Sequence, residues 1–343
     1  MTTAAFSDVM ARLRDLGMTP AQVRALLPAW WEPAVAKTPS GVWETSLLLG
    51  RRLGLDAVAL AQGQVAQLPG LSPPRFKHTV RVTPGQLGPA TMIASSLAKA
   101  VVAALPLPDR PTLRGASAQD VRAQILRMPG ARIDFNSLVE FAWDQGIPVI
   151  PLPNLPRGIR KMDAAAINVG TRPVIVIARR TDSKAWLSFL LAHELGHVCL
   201  GHVPENGSLV EGSITDSAEF DAQSQIDTQE QEANEFAHAL LGGPQADRII
   251  DTWGVGLAPV QLAGAAAQAS DELACAPGNL LLRYAFRTKR WPEARIALRF
   301  HADDIDAQLA LTDRMGRELD TRLVAEDLQE FVEAITGIAP QAA

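Results

Sequence analysis

Residues Phe189, Leu190, Leu191, Ala192, His193, Glu194, Leu195, Gly196 and His197 form an apolar stretch broken by two histidines and a glutamate. Wound as a helix, this stretch is apolar nearly all round, and such a helix is stable only inside a core. The chain must therefore supply cover on every flank of it, and the polar groups must face one another or a cleft. Positions four apart lie one turn apart on one helix face, so His193 and His197 can both reach a single metal ion. Glu194 stands beside them, where a carboxylate can take a proton from a metal-activated water. Three of the six histidines fall between His193 and His202, a clustering that argues against an ordinary surface pair.

A catalytic zinc takes three protein ligands and keeps one position open. His202 would complete the longer H-E-x-x-H-x-x-G-x-x-H pattern, but Gly201 stands one place late and His202 one place early. Its expected role is at the helix end, against the negative pole of the helix dipole. The other candidates lie on the next helical segment, where Glu230 is followed four residues later by Asn234. Asn234 then shares its face, one turn along, and can hydrogen-bond the outer nitrogen of a ligating histidine. Ala233 and Ala237 are small enough for this helix to approach the first closely. Glu230 is the preferred third ligand, with Glu232 and His202 as alternatives; Glu232 and Glu235 otherwise read as a solvated face.

The 343 residues suit about two or three domains. Hydrophobic residues at 47% and charged residues at 20% exclude wholesale disorder. A formal net charge of −5 excludes a chain that is basic throughout. Two cysteines, Cys199 and Cys275, cannot build a disulfide framework and point to a reducing compartment, hence a cytoplasmic protein. Asp8, Arg12, Arg14 and Asp15 leave no signal-peptide core. The most apolar stretch, 88–107, is interrupted by Ser95, Ser96 and Lys99, so no membrane association is expected.

Short helices are expected over 4–16, over 20–27 behind a capping box of Thr19 and Gln22, and over 41–53 behind Ser40. Residues 70–84, rich in Pro and Gly and carrying Arg75, Lys77, His78 and Arg81, read as a linker or extended segment. An Ala-rich helix follows to about 105, then helices over 117–128 and 135–143. Apolar runs at 146–151, 164–169 and 173–178 then read as strands, the last two as a hairpin through Gly170, Thr171 and Arg172. Residues 204–229 read as a long polar loop expected to cover the cleft in a resting state. The remainder reads as helices over 230–241, 262–274 and from 279, a turn at Pro277 and Gly278, a strand candidate over 294–300, and an acidic solvated face over 303–333. The expected architecture is α+β and mainly helical, with a small sheet, divided as a helical 1–68, a linker and helix 69–116, a core 117–243 and a mainly helical 244–343.

His193, Glu194, Leu195, Gly196 and His197, followed by Glu230, Glu232, Ala233, Asn234, Phe236, Ala237, Leu240 and Leu241, resemble the ImmA/IrrE family of bacterial metallopeptidases. The lead-in of Gly146 to Val149, then Lys161, Met162 and Asp163, then Arg172 to Ile175, fits as well, and the resemblance covers roughly 139–243. It implies a zincin-like fold, with His193, His197 and Glu230 as zinc ligands and Glu194 as the base. The implied activity is cytosolic hydrolysis of a peptide bond in a regulatory protein, often a transcriptional repressor, in stress, DNA-damage or mobile-element responses. Zinc would acidify the water and polarise the scissile carbonyl, while Glu194 takes the proton and passes it to the leaving amine. His238, His202 and Tyr284 are candidates to stabilise the oxyanion, and the strand over 173–178 to align substrate by strand addition. Two departures stand out: Gly242, Gly243 and Pro244 replace the family's usual Met-Pro, and Ala164 replaces a frequent Gly.

The helices up to residue 60 resemble the helix-turn-helix of lambda-repressor-like regulators. The recognition helix would fall within 28–39, which holds Trp30, Trp31, Glu32, three prolines and Lys37 as its one basic residue. A major-groove reader needs Arg, Asn or Gln on a continuous face, so a degenerate fold used for protein contact or dimerisation is preferred to DNA binding. Residues 1–85 carry nine Lys and Arg against five Asp and Glu, which permits weak phosphate contact. The alternative function is a DNA-binding regulator whose zinc domain senses or binds without cleaving. Cys199 reads as a small buried hydrophobe, and Cys275 carries no functional signal.

Overall fold

In a computed structural model of the chain, which describes residues 5–64, 75–77, 84–107, 113–127, 130–181, 183–211, 225–254, 256–301 and 307–340, capping residues set where the first helices begin. These are α1 (Phe6–Asp15), α2 (Pro20–Ala25), α3 (Pro39–Leu53) and α4 (Ala57–Ala61). Thr19 Oγ1 accepts from the Gln22 amide while Gln22 Oε1 accepts from the Thr19 amide, the expected box. Thr38, and not Ser40, caps α3, accepting from the Gly41 amide at 3.1 Å, so the helix starts earlier than expected. Between α2 and α3 stands only a 3-10 turn, Val35–Lys37. Trp31 there is 3% exposed and donates to Thr45 Oγ1 at 2.8 Å, which makes it a core residue. The expected linker is described only at β1 (Arg75–Lys77); His78 and Arg81 lie outside the described residues.

The middle of the chain supplies α5 (Pro84–Ala104), α6 (Ala118–Ile125) and α7 (Phe135–Asp144), then β2 (Val149–Pro151), β3 (Ala164–Val169), β4 (Arg172–Ile177), α8 (Lys184–Cys199), β5 (Ser208–Glu211) and α9 (Gln225–Gly242). Helix α5 holds an 18-residue window, Leu87–Ala104, apolar enough to cross a membrane, but 67% of it is buried inside the protein. The regular elements described in the C-terminal third are all helices, among them α10 (Ala246–Thr252), α11 (Pro259–Glu272), α12 (Pro277–Thr288), α13 (Trp291–Leu298), α14 (Ala307–Glu318) and α15 (Glu326–Thr336). The strand candidate over 294–300 is therefore wrong. Pro292 sits in the first turn of α13, where its fixed φ suits a helix start, and Ala294 and Ala297 bury one helical face. Pro277 and Gly278 likewise open α12 and do not form a separate turn.

The five strands form one mixed sheet in the order β1-β5-β3-β4-β2. Strands β3 and β4 pair antiparallel around a two-residue turn in which Gly170 takes φ +63°, a conformation that favours glycine. Strand β5 pairs antiparallel with β3, so part of the expected 204–229 loop is sheet, and its end belongs to α9. Residues 212–224 of that loop, on which its expected role as a cover rests, lie outside the described residues. Strand β4 is hydrogen-bonded on both sides, to β3 and to β2. It has no edge to offer, so substrate alignment along 173–178 is ruled out.

Helix α8 receives the enclosure its composition demands. The sheet lies under it through β3 and β4, while α7, α9 and α12 pack around it, and every residue from Ala185 to Cys199 is buried. Fully burying side chains such as Phe189, Leu190, Leu191 and Leu195 contributes about 1.5–3 kcal/mol each, before the entropy of ordering them. The N-terminal helices join the same body: Arg52 donates to the Leu26 carbonyl at 2.6 Å and to the Asp327 carbonyl, in the first turn of α15, at 3.1 Å.

Candidate metal centre

The close approach of α8 and α9 begins with small residues. A Cβ at Gly196 would stand 3.2 Å from Phe236 Cβ and 3.3 Å from Ala233 Cα, so glycine on α8 meets the expected small residues of α9. Ala233 and Ala237 are both 0% exposed. The far end of α9 is fixed by Arg122 of α6, whose guanidinium donates to the Leu240 carbonyl at 2.8 Å, to Leu241 at 3.3 Å and to Leu273. Gly243 follows in the left-handed region at φ +75°, with its Cβ position 3.0 Å from Arg122 Nε. The two glycines that depart from the family pattern thus lie where an arginine terminates the helix.

Across this seam the expected ligands converge. His193 Nε2 and His197 Nε2 lie 3.0 Å apart. Glu230 Oε2 is 3.3 Å from the former, and Glu230 Oε1 is 3.3 Å from the latter. His193 and His197 are each 1% exposed and Glu230 is 6%, and the three could hold a metal ion. Donors bound to a tetrahedral zinc at about 2.0–2.2 Å sit about 3.3 Å from one another, so these spacings fit that ion. Two imidazoles and a carboxylate are also the donor set of open, catalytic zinc sites. Asn234 Oδ1 lies 3.0 Å from His193 Nδ1, as the spacing from Glu230 predicts, and can accept that ring's N–H so that Nε2 keeps its lone pair. Glu194 is 0% exposed, adjacent to His193 on the same buried turn.

Other candidates are placed differently. His202 does not serve the helix dipole: Nδ1 lies 2.9 Å from His197 Nδ1, and Nε2 lies 3.0 Å from Glu232 Oε2. Glu232 is therefore a partner of His202 and not a donor of the triad, while exposed Glu235 accepts from Gln231 at 2.8 Å. His238 packs against both the Phe189 and Phe286 rings, at 5.1 and 5.0 Å. Burial, with the Arg283 guanidinium nearby, pushes its imidazole down to about 3, so it is neutral at physiological pH. Tyr284 is 1% exposed and packs on Trp253. Cys199 and Cys275 are buried and form no disulfide, and burial raises their thiols to about 12 and about 11.

The lead-in motifs prove structural. Arg172 donates to the Gly146 carbonyl at 3.0 Å and the Pro106 carbonyl at 2.7 Å. Asp163 pairs with Arg179 at 2.7 Å, and its carbonyl accepts from the Ala178 and Arg179 amides. Arg122 and the His202–Glu232 contact were missed from sequence, since neither spacing along the chain nor helical period links those residues. A cavity of about 710 Å³ lies at the N-terminal end of α8, lined by Arg132, Trp186, Gly278 and Arg295 among others, and none of the three donors lines it.

No curated protein and no solved structure matches the chain. Residues 143–241, which contain β2 to β5, α8 and nearly all of α9, match the family model Peptidase_M78, described as the IrrE N-terminal-like domain. That segment, inside which His193, His197 and Glu230 are brought together, is similar to the IrrE N-terminal-like domain.

Proposed function

We propose that the protein is a cytoplasmic zinc endopeptidase that hydrolyses a peptide bond in a regulatory protein partner. The observation that carries this reading is the buried convergence of two imidazole nitrogens and a carboxylate, at 3.0 to 3.3 Å, beside a second buried glutamate. His193, His197 and Glu230 would hold the ion. A zinc ion bound there supplies a Lewis acid that polarises a carbonyl and brings the acidity of water near neutrality. Glu194 takes the proton of the attacking water and returns it to the leaving amine. Asn234 keeps the His193 ring turned so that Nε2 faces Glu230. Neutral His238 brings no positive charge to an oxyanion. A transcriptional repressor is the partner class that the family resemblance favours. The alternative, a DNA-binding regulator, needs a recognition helix within 28–39, where a single 3-10 turn stands.

Two measurements test the proposal. Elemental analysis of untagged protein, purified without chelators, should find about one zinc per chain in wild type and in Glu194→Gln, and a strong loss in Glu230→Ala. Incubated with a proteome-derived peptide library, zinc-loaded wild type should produce new termini and Glu194→Gln should not. Wild type devoid of metal refutes the zinc centre, and a Glu194→Gln variant that cuts as fast as wild type refutes the assigned base.

A further inference from the structure

We propose that His202 and Glu232 are positioning residues for the metal centre, forming a hydrogen-bonded arm that dictates which nitrogen of His197 carries its proton. The inference rests on the reading of His193, His197 and Glu230 as ligands. His202 lies beyond the end of α8, where Gly201 at φ +73° turns the chain back, and its ring returns against the last turn of the helix. It is 8% exposed, whereas the Glu232 side chain is 49% exposed, so the arm runs from solvent to the buried ligand.

With His202 neutral, the direction of each bond follows from what each atom can do. In a neutral imidazole one ring nitrogen donates and the other accepts. The Glu232 carboxylate accepts, so the proton of His202 sits on Nε2, 3.0 Å from Glu232 Oε2. His202 Nδ1 is then an acceptor, and the 2.9 Å contact needs a donor opposite it, so His197 carries its proton on Nδ1. The lone pair of His197 is left on Nε2, the atom that faces His193 Nε2 at 3.0 Å and Glu230 Oε1 at 3.3 Å. Asn234 imposes the same tautomer on His193 from the other side. Two lone pairs held 3.0 Å apart repel each other unless a cation lies between them, so the two arms together leave a site that a cation completes. The reversed arm, with the proton on His197 Nε2, would point an N–H into that site.

The test uses the full chain and reads zinc affinity by competition with a chromophoric chelator. His202→Ala should weaken zinc binding about 10–100-fold, the usual effect of removing an outer partner of a ligating histidine. Glu232→Ala should weaken it in the same direction. His202→Gln, whose amide can accept from His197 and donate to Glu232, should recover most of the loss, which an effect of packing alone would not allow. Long-range proton–nitrogen NMR on the zinc-loaded wild type, labelled at its six histidines, should show His202 protonated at Nε2 and His197 at Nδ1, and needs no variant to fold. Wild-type affinity in His202→Ala, or a His202 protonated at Nδ1, overturns the inference while leaving the metal centre intact. A wild type that binds no zinc overturns the metal centre, and this inference with it.

Discussion

His238 makes stability depend on pH in a way that can be calculated. Its ring sits two turns beyond Glu230 on α9, against Phe189 and Phe286. The titratable groups that act on it are Arg283, which also donates to the His238 carbonyl, Asp247, His193 and Arg287. Burial, then the cations, lower the imidazole from 6.5 to about 3, while Asp247 opposes them. A group whose folded value is depressed gains its proton first in the unfolded chain. As pH falls through 6.5 the unfolded state is therefore favoured, and the loss continues until the folded ring protonates near 3. At about 1.36 kcal/mol per pH unit, the loss between pH 7 and pH 5 is about 2 kcal/mol. That figure hardly depends on the folded value so long as it lies below pH 5. Urea unfolding of wild type and His238→Phe at the two pH values, at fixed chelator concentration, isolates it, because the carboxylates and the ligand histidines titrate in both proteins. The expected difference of differences is about 2 kcal/mol, with wild type the more acid-sensitive. Equal losses in the two proteins would refute the reasoning and reopen His238 as a cation beside the site.

Further outcomes follow from individual contacts. Asn234→Ala should weaken zinc binding about 10–100-fold in a chelator competition, whereas Asn234→Asp, which keeps an acceptor toward His193 Nδ1, should retain most of it. Arg122→Met should lower the free energy of unfolding by about 3 kcal/mol or more in a urea titration, because carbonyls ending α9 and one following α11 lose a buried charged donor; a change within about 0.5 kcal/mol would refute that role. With thiols raised to about 12 and about 11 by burial, Cys199 and Cys275 should resist a thiol reagent at pH 8 in the native protein, and both should react in denaturant.

What was legible in the sequence was what local period and spacing carry. The H-E-x-x-H face of α8, the Glu230 and Asn234 pair one turn apart on α9, the β3–β4 hairpin and the capping box at Thr19 are each set by residues within a few positions of one another. What was illegible depends on chain segments that meet only in space. His202 read as a dipole partner because helix geometry says nothing of residues past a left-handed glycine. Arg122 and the carbonyls of Leu240 and Leu241 lie more than one hundred residues apart. Strand β4 read as an available edge because a hairpin shows its own pairing and not that β2 closes the other side. The strand misreading over 294–300 came from a short apolar run, in which periodicity alone does not separate strand from helix.

The segment that matches the family model does not enclose α8 by itself. Helix α8 is buried from Ala185 to Cys199, and the matched residues 143–241 cover it with the sheet and α9. The remaining flanks are closed by α7, which begins before the match, and by α12, which follows it. A Cβ at Gly278 would meet Ala185 Cβ at 2.7 Å, so glycine lets the start of α12 press onto the start of α8. Trp186 stacks on Trp291 at 5.8 Å, and Phe189 stacks on Phe286 at 5.0 Å. Phe189 in turn lies 6.2 Å from the His193 ring. The C-terminal helices thus pack directly on α8 next to the turn that carries His193, through contacts that cross position 243.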